Sequence, residues 1–126
     1  MMNEIGIIEN PLDRLLECQF ERINETDLKV TLPIQPLILN PIGIVHGGII
    51  CSLADIAMGQ AQNENNKQAV VTVDLKTTFI KGAKGKYLIA EAYLVKKGRT
   101  LNHYDCFIYN ENNELVAKTN GIFAKV

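Results

Sequence analysis

The residues with chemical potential gather between positions 40 and 55. There Asn40, His46, the pair Gly47-Gly48 and the lone carboxylate Asp55 stand in a mostly apolar stretch. Two glycines at the entrance of a helix leave backbone N–H groups without side-chain cover. Those donors, reinforced by the positive end of the helix dipole, suit a carbonyl oxygen that becomes negative during a reaction. Asn40 adds an amide donor for the same oxygen, and His46 either orients a substrate or tunes the loop. The structural alternative is that Gly47-Gly48 only permits close packing. A carboxylate on an apolar helix loses hydration unless it has partners or a task. A carboxyl stripped of water holds its proton more tightly, which suits a general base, whereas a nucleophile must be ionised. The structural alternative for Asp55 is an ion pair with a lysine.

Spacing adds a constraint. Asp55 lies eight residues beyond Gly47, or about 12 Å along a helix at 1.5 Å per residue. One carbonyl cannot touch both within a single chain. If both act on one bond, the second comes from a neighbouring subunit, and two such helices running antiparallel about a two-fold axis meet that requirement.

Other sites are excluded by residue type. A phosphate loop ending at Gly85-Lys86 needs glycine at 80 and Ser or Thr at 87, where the chain has Ile80 and Tyr87. The only histidines are His46 and His103, with no metal-ligand spacing, and no Gly-x-Ser-x-Gly elbow occurs. Cys18, Cys51 and Cys106 are widely spaced and form no Cys-x-x-Cys pair. They read as small apolar residues, reduced in a cytoplasmic protein.

These residues need elements to hold them. Asn10-Pro11 marks a short helix start that covers Leu12, Leu15 and Leu16. Strand-like runs follow at Cys18–Ile23 and Asp27–Pro33, and Pro33, Pro36 and Pro41 then exclude regular structure to about residue 45. From Gly47 to about Asn63 the pattern is a helix, apolar nearly all round and therefore buried. Val71, Val73, Leu75 and Phe79 alternate with Thr72, Asp74, Lys76 and Thr78, the period of a strand. Further strands are expected at Tyr87–Val95, at Leu101–Tyr109 with Tyr104, Cys106 and Ile108 on one face, and at Leu115–Phe123. Short polar turns between them favour antiparallel pairing, so the architecture is α+β.

The chain has 126 residues, enough for one domain over 1–126 and no second. Thirteen basic against fourteen acidic side chains supply no positive excess for nucleic acid. The most apolar stretch, Ile42–Ile50, is too short to span a membrane, which takes about 20 residues. Met1–Glu9 has no basic region of a signal peptide.

The string His46-Gly47-Gly48, then Leu53-Ala54-Asp55, resembles the signature of hotdog-fold acyl-CoA thioesterases of the phenylacetic-acid-degradation (PaaI-like) family. Val71-Thr72-Val73-Asp74-Leu75, Phe79 and Lys97-Gly98-Arg99-Thr100 continue the resemblance over residues 35 to 124. It implies a long central helix wrapped by a curled antiparallel sheet of five to six strands. It also implies a homodimer, paired into a homotetramer, with sites shared between subunits and no cofactor. In that family the residue matching Asp55 is nucleophile or general base. Those matching Gly47 and Asn40 polarise the thioester carbonyl, and that matching His46 supports the loop. Thr72 stands where a hydroxyl positions the water or the aspartate. Lys96, Lys97, Gly98, Arg99, Thr100 and Leu101 match the stretch along the pantetheine arm and phosphates of CoA, and Asp74 and Phe79 match positions near the acyl group. Some relatives carry a polar or histidine side chain where this chain has Ala124, so contacts made there do not transfer.

The resulting expectation is a cytoplasmic enzyme that hydrolyses acyl-CoA to a free acid and CoA. A non-catalytic acyl-CoA sensor on the same fold is the alternative, opposed by Asp55, for which binding alone has little use. A hotdog dehydratase or hydratase presents a different arrangement of histidine and acid and ranks third.

Overall fold

The computed structural model describes residues 6–126. Residues 1–5, and with them the start of the Met1–Glu9 segment read for a signal peptide, lie outside the described residues. In chain order the elements are helix α1 (Pro11–Leu15), strands β1 (Gln19–Arg22) and β2 (Leu28–Pro33), helix α2 (Gly47–Gln60), and strands β3 (Val70–Phe79), β4 (Tyr87–Lys97), β5 (Leu101–Asn110) and β6 (Leu115–Lys125). The strands form one antiparallel sheet of six in the order β1-β2-β4-β5-β6-β3, with α2 packed across β2 to β6. Among the described residues no helix is long and apolar enough to cross a membrane.

Helix α2 forms because its apolar residues meet the sheet. Ile50, Leu53, Ala54, Ala57 and Met58 are buried. Leu53 and Met58 have no exposed surface, and burying such a side chain contributes about 1.5–3 kcal/mol. A side chain at Gly121 would put its Cβ 2.7 Å from the Phe123 ring and 2.9 Å from the Met58 thioether. Glycine there lets the helix lie close on β6. The helix ends at Gln60, short of the Asn63 expected, because the chain turns at Ala61 and then enters a tight turn.

Four further expectations need correction. Leu16 is buried, but Leu12 and Leu15 are half-exposed, since a five-residue helix turns only one side to the core. The proline-rich segment holds a single 3₁₀ turn, Pro36–Ile38, begun by Pro36 with its preset φ. The later strands outrun their expected ends, with β4 reaching Lys97 and β6 reaching Lys125, while β1 falls a residue short of Cys18–Ile23 at each end and β2 starts at Leu28.

The fourth correction matters most. The register of β3 against β6 shifts between Thr72 and Asp74, leaving Val73 without a partner, so a β-bulge breaks the alternation. Before the bulge Thr72 stands opposite Phe123; after it Leu75 stands opposite Gly121 and Thr77 opposite Thr119. Phe123, Gly121 and Thr119 are all buried. Thr72 and Leu75, of opposite parity, therefore share the face toward α2, and Val71 and Val73 are left exposed.

Candidate active site

His46 is the N-cap of α2, its Nδ1 accepting from Gly48 N–H at 3.2 Å, and its carbonyl accepts from Ile49 and Ile50. Gly47 N–H, in the first position, has no acceptor among the described residues. It remains an orphan donor at the positive end of the helix. Asn40 uses its side-chain oxygen to accept from Ile42 N–H at 3.1 Å and Ile44 N–H at 3.2 Å, which ties the loop and leaves its Nδ2 unused. Phe79 closes on this corner: a Cβ on Gly47 would stand 3.4 Å from its ring. Asn40, Gly47 and Phe79 line one cavity of about 340 Å³, whose remaining wall is mostly apolar, including Ile44, Ile50 and Ile80.

Asp55 sits farther along α2, half-buried, and its partner is a hydroxyl: Thr72 Oγ1 donates to Asp55 Oδ1 at 2.6 Å. No lysine pairs with Asp55 among the described residues, so the ion-pair alternative fails. Thr72 reaches the carboxylate only because the bulge turns it toward the helix. Oδ2 has no partner within the described residues. Asp55 and Thr72 line a different cavity of about 250 Å³, which shares no residue with the first. The structure thus brings Asn40, His46, Gly47 and Phe79 together, and separately Asp55 and Thr72. Asp74 lies past the bulge, paired with Ile122, and lines neither cavity.

Lys96 and Lys97 end β4, Gly98, Arg99 and Thr100 form the β4–β5 turn, and Leu101 opens β5. Gly98 N–H donates to Leu101 O at 2.9 Å, and a Cβ at Gly98 would fall 2.4 Å from that oxygen. Lys97 lies 3.8 Å from Glu64, and Lys125 Nζ donates to Gly98 O at 2.8 Å. Lys96 and Arg99 are exposed with no ion pair among the described residues. At the opposite end of the sheet Lys84 and Lys86 are exposed, and Lys81 pairs with Glu114 at 2.6 Å. Burial pushes the Cys18 thiol up to about 12 and the Cys106 thiol up as well, as expected of inert apolar cysteines.

The sequence reading missed a polar cluster at the far wall of the Asp55 cavity. Gln60 Oε1 accepts from Ile8 N–H at 3.1 Å, while its Nε2 donates to Ile8 O at 2.7 Å and Asp13 Oδ2 at 3.0 Å. Asn10, the N-cap of α1, accepts from Asp13 N–H and donates through its Nδ2 to Asp13 Oδ2 at 2.8 Å, and burial raises the Asp13 carboxyl above the ordinary range against the pull of these amides. Polar Gln60 on an apolar helix was the available signal.

Known proteins extend this geometry. Residues 42–117 match the Thioesterase superfamily. A protein of Archaeoglobus fulgidus with a provisional esterase name is 34% identical over 91% of this chain and 75% of its own. A Bacillus halodurans protein crystallised with CoA superposes with a TM-score of 0.84 at 32% identity, over 94% of this chain and 80% of its own. The Escherichia coli PaaI protein of the phenylacetic acid degradation operon superposes with a TM-score of 0.83 at 25% identity, over 94% of this chain and 86% of its own. A match spanning more than half the chain, and taking in the helix that carries Gly47 and Asp55, places this protein in the thioesterase superfamily.

Proposed function

We propose that this protein is a cytoplasmic acyl-CoA thioesterase of the PaaI-like branch, a single domain whose sites are each completed by a second copy of the chain. One observation carries the reading. An oriented carboxylate with a free oxygen, Asp55 held by Thr72, and an orphan N–H with a spare amide, Gly47 and Asn40, line separate cavities of one chain.

The free edge of β3 supplies the means to join them. An antiparallel β3–β3 pairing centred near Leu75 and Lys76 lays Thr72 of one copy opposite Phe79 of the other. Asp55 of one copy then faces the Gly47 corner of its mate. Exposed Val71 and Val73 at that edge support the pairing. We extend this to a dimer of dimers.

In the reaction Gly47 N–H and Asn40 Nδ2 hold the carbonyl oxygen as it becomes an oxyanion, and His46 keeps the loop in place. Asp55 delivers the oxygen, by direct attack on the carbonyl carbon or by taking a proton from water. The tetrahedral intermediate then expels CoA as its thiolate; after attack by water this leaves the free acid, and after direct attack it leaves an Asp55 anhydride that water cleaves to the free acid and the Asp55 carboxylate. Heavy-oxygen label entering Asp55 in a single turnover distinguishes direct attack from water activation. The acyl group lies against Phe79 and the apolar wall beside Gly47. The CoA phosphates lie toward Lys96–Leu101. The site calls for no metal or cofactor.

Thiol release from aromatic and aliphatic acyl-CoAs, by wild type and Asp55→Asn, tests the reading. The variant is expected to lose about 100- to 10,000-fold in kcat, with its oligomer size unchanged. Equal turnover by both proteins sinks it.

A further inference from the structure

The Asp55 cavity adjoins a second one of about 290 Å³ at the C-terminal end of α2, and the two share Asn63, Gln68 and Val70. The second cavity extends to Lys97, at the β4–β5 turn. Its lining differs in kind from the apolar cavity at Gly47: it holds three lysines and five side-chain amides, and Gln62, Asn63, Gln68 and Asn102 each have the NH₂ end already taken. Asn63 Nδ2 donates to Gln60 Oε1 at 2.5 Å and to Gly6 O at 3.3 Å. Gln68 Nε2 donates to Val70 O at 2.6 Å. Deeper in, Gln62 Nε2 donates to Met58 O and Asn102 Nδ2 to Gln62 Oε1, both at 2.9 Å, which leaves Asn102 Oδ1 buried without a partner.

Because the NH₂ groups are engaged, the amides cannot flip without losing bonds, and Asn63 Oδ1 and Gln68 Oε1 have no donor among the described residues. The junction of the two cavities thus presents two free amide oxygens, suited to a ligand that brings N–H donors, with lysines farther along the wall. A tight turn fixes the pair at its mouth. Asn65 and Asn66 both take left-handed φ, +52° and +62°, and Glu64 and Lys67 exchange backbone hydrogen bonds at 3.0 and 3.1 Å. This two-residue turn brings Asn63 and Gln68, which flank the Glu64–Lys67 bridge, to one side of the cavity mouth.

We infer that Asn63 and Gln68 are specificity-determining residues that read the amide N–H groups of the carrier's pantetheine arm as it passes from Asp55 toward Lys97. The inference rests on the acyl-CoA reading above and gives the substrate a direction: acyl group into the apolar cavity, carrier arm past the two free amide oxygens.

The test uses one acyl group on three thiols: CoA, pantetheine with both amides of the arm, and ethanethiol with none. Gln68→Met and Asn63→Leu remove the acceptors and keep bulk. Each is expected to raise KM for the CoA and pantetheine thioesters about 3- to 10-fold, the worth of one hydrogen bond. The kcat should stay within about twofold, and the ethanethiol ester should be unaffected. Binding of free CoA to the same proteins is measured alongside and should weaken by the same factor. A KM change of equal size on all three thiols indicates a structural defect and overturns the inference, as does no change on any. If no thioester is hydrolysed but CoA binds and Gln68→Met weakens it, the arm assignment stands and the thioesterase reading falls. Absence of CoA binding to wild type overturns the assignment.

Discussion

At the scale of single residues, chemistry was readable where it depended on residue type and near neighbours. His46 caps the helix that its own sequence position announces, and Asn10 does the same for α1. The contact between Asp55 and Thr72 was legible only by resemblance, and that between Asp13 and Gln60 not at all. Such pairs lie 17 and 47 residues apart in sequence, and nothing local encodes them. Asp13 yields a prediction of its own. Burial holds its carboxyl above the ordinary 3.8 in the folded chain, so the folded state binds that proton more tightly than the unfolded one. Its contribution to stability is fullest below 3.8 and is lost as pH rises through the raised value. Asp13→Asn removes the charge and keeps an oxygen for Asn10 and Gln60. Thermal unfolding at pH 4 and pH 8 should show the variant gaining on wild type at the higher pH. A difference in Tm that does not move with pH rejects this account of the carboxyl.

At the scale of elements, the periodicity of α2 and of the strands fixed their kind and order, while boundaries drifted by a few residues. Turn chemistry was legible too, as at Lys97-Gly98-Arg99. The face presented by β3 was not. Strict alternation from Val71 to Phe79 assigns Thr72 to the side away from α2, and one unpaired residue, Val73, reverses that assignment. A bulge is chosen by the whole sheet, through the fit of β3 against β6, and leaves no mark in a run of alternating residues. The β4–β5 turn offers a sharper test of local geometry. Gly98→Ala drives a methyl against the Leu101 carbonyl, a backbone atom that cannot step aside. Denaturant unfolding should register a loss of about 1–3 kcal/mol; an unchanged midpoint and slope would show that the turn relaxes freely.

At the scale of the molecule, the proposed site is divided: Asp55 with Thr72, and Gly47 with Asn40, line different cavities of one chain, and if both act on one bond the distance along α2 calls for a partner to join them. Mixing two defective proteins tests this directly. Asp55→Asn and Asn40→Ala each spoil both sites of their own dimer. A mixed dimer regains one intact site, so equal parts refolded together should recover about a quarter of wild-type activity under random two-fold pairing. Activity that stays at the sum of the two separate proteins places both half-sites in one subunit. The rest of the sheet offers less: β1, at the opposite edge, is only four residues long.

The sheet order carries a consequence for biosynthesis. Strand β3 has a single neighbour, β6, although β4 and β5 intervene in the chain. A nascent chain that has released β5 can assemble β1, β2, β4 and β5 as a ladder, while β3 waits beside α2 with both edges bare. Thr72 therefore meets Asp55 in its final register only after β6 emerges, and the ribosome sets when the carboxylate is brought under control. Slow codons placed between β5 and β6 should lengthen the life of that half-built sheet and raise its loss to proteolysis.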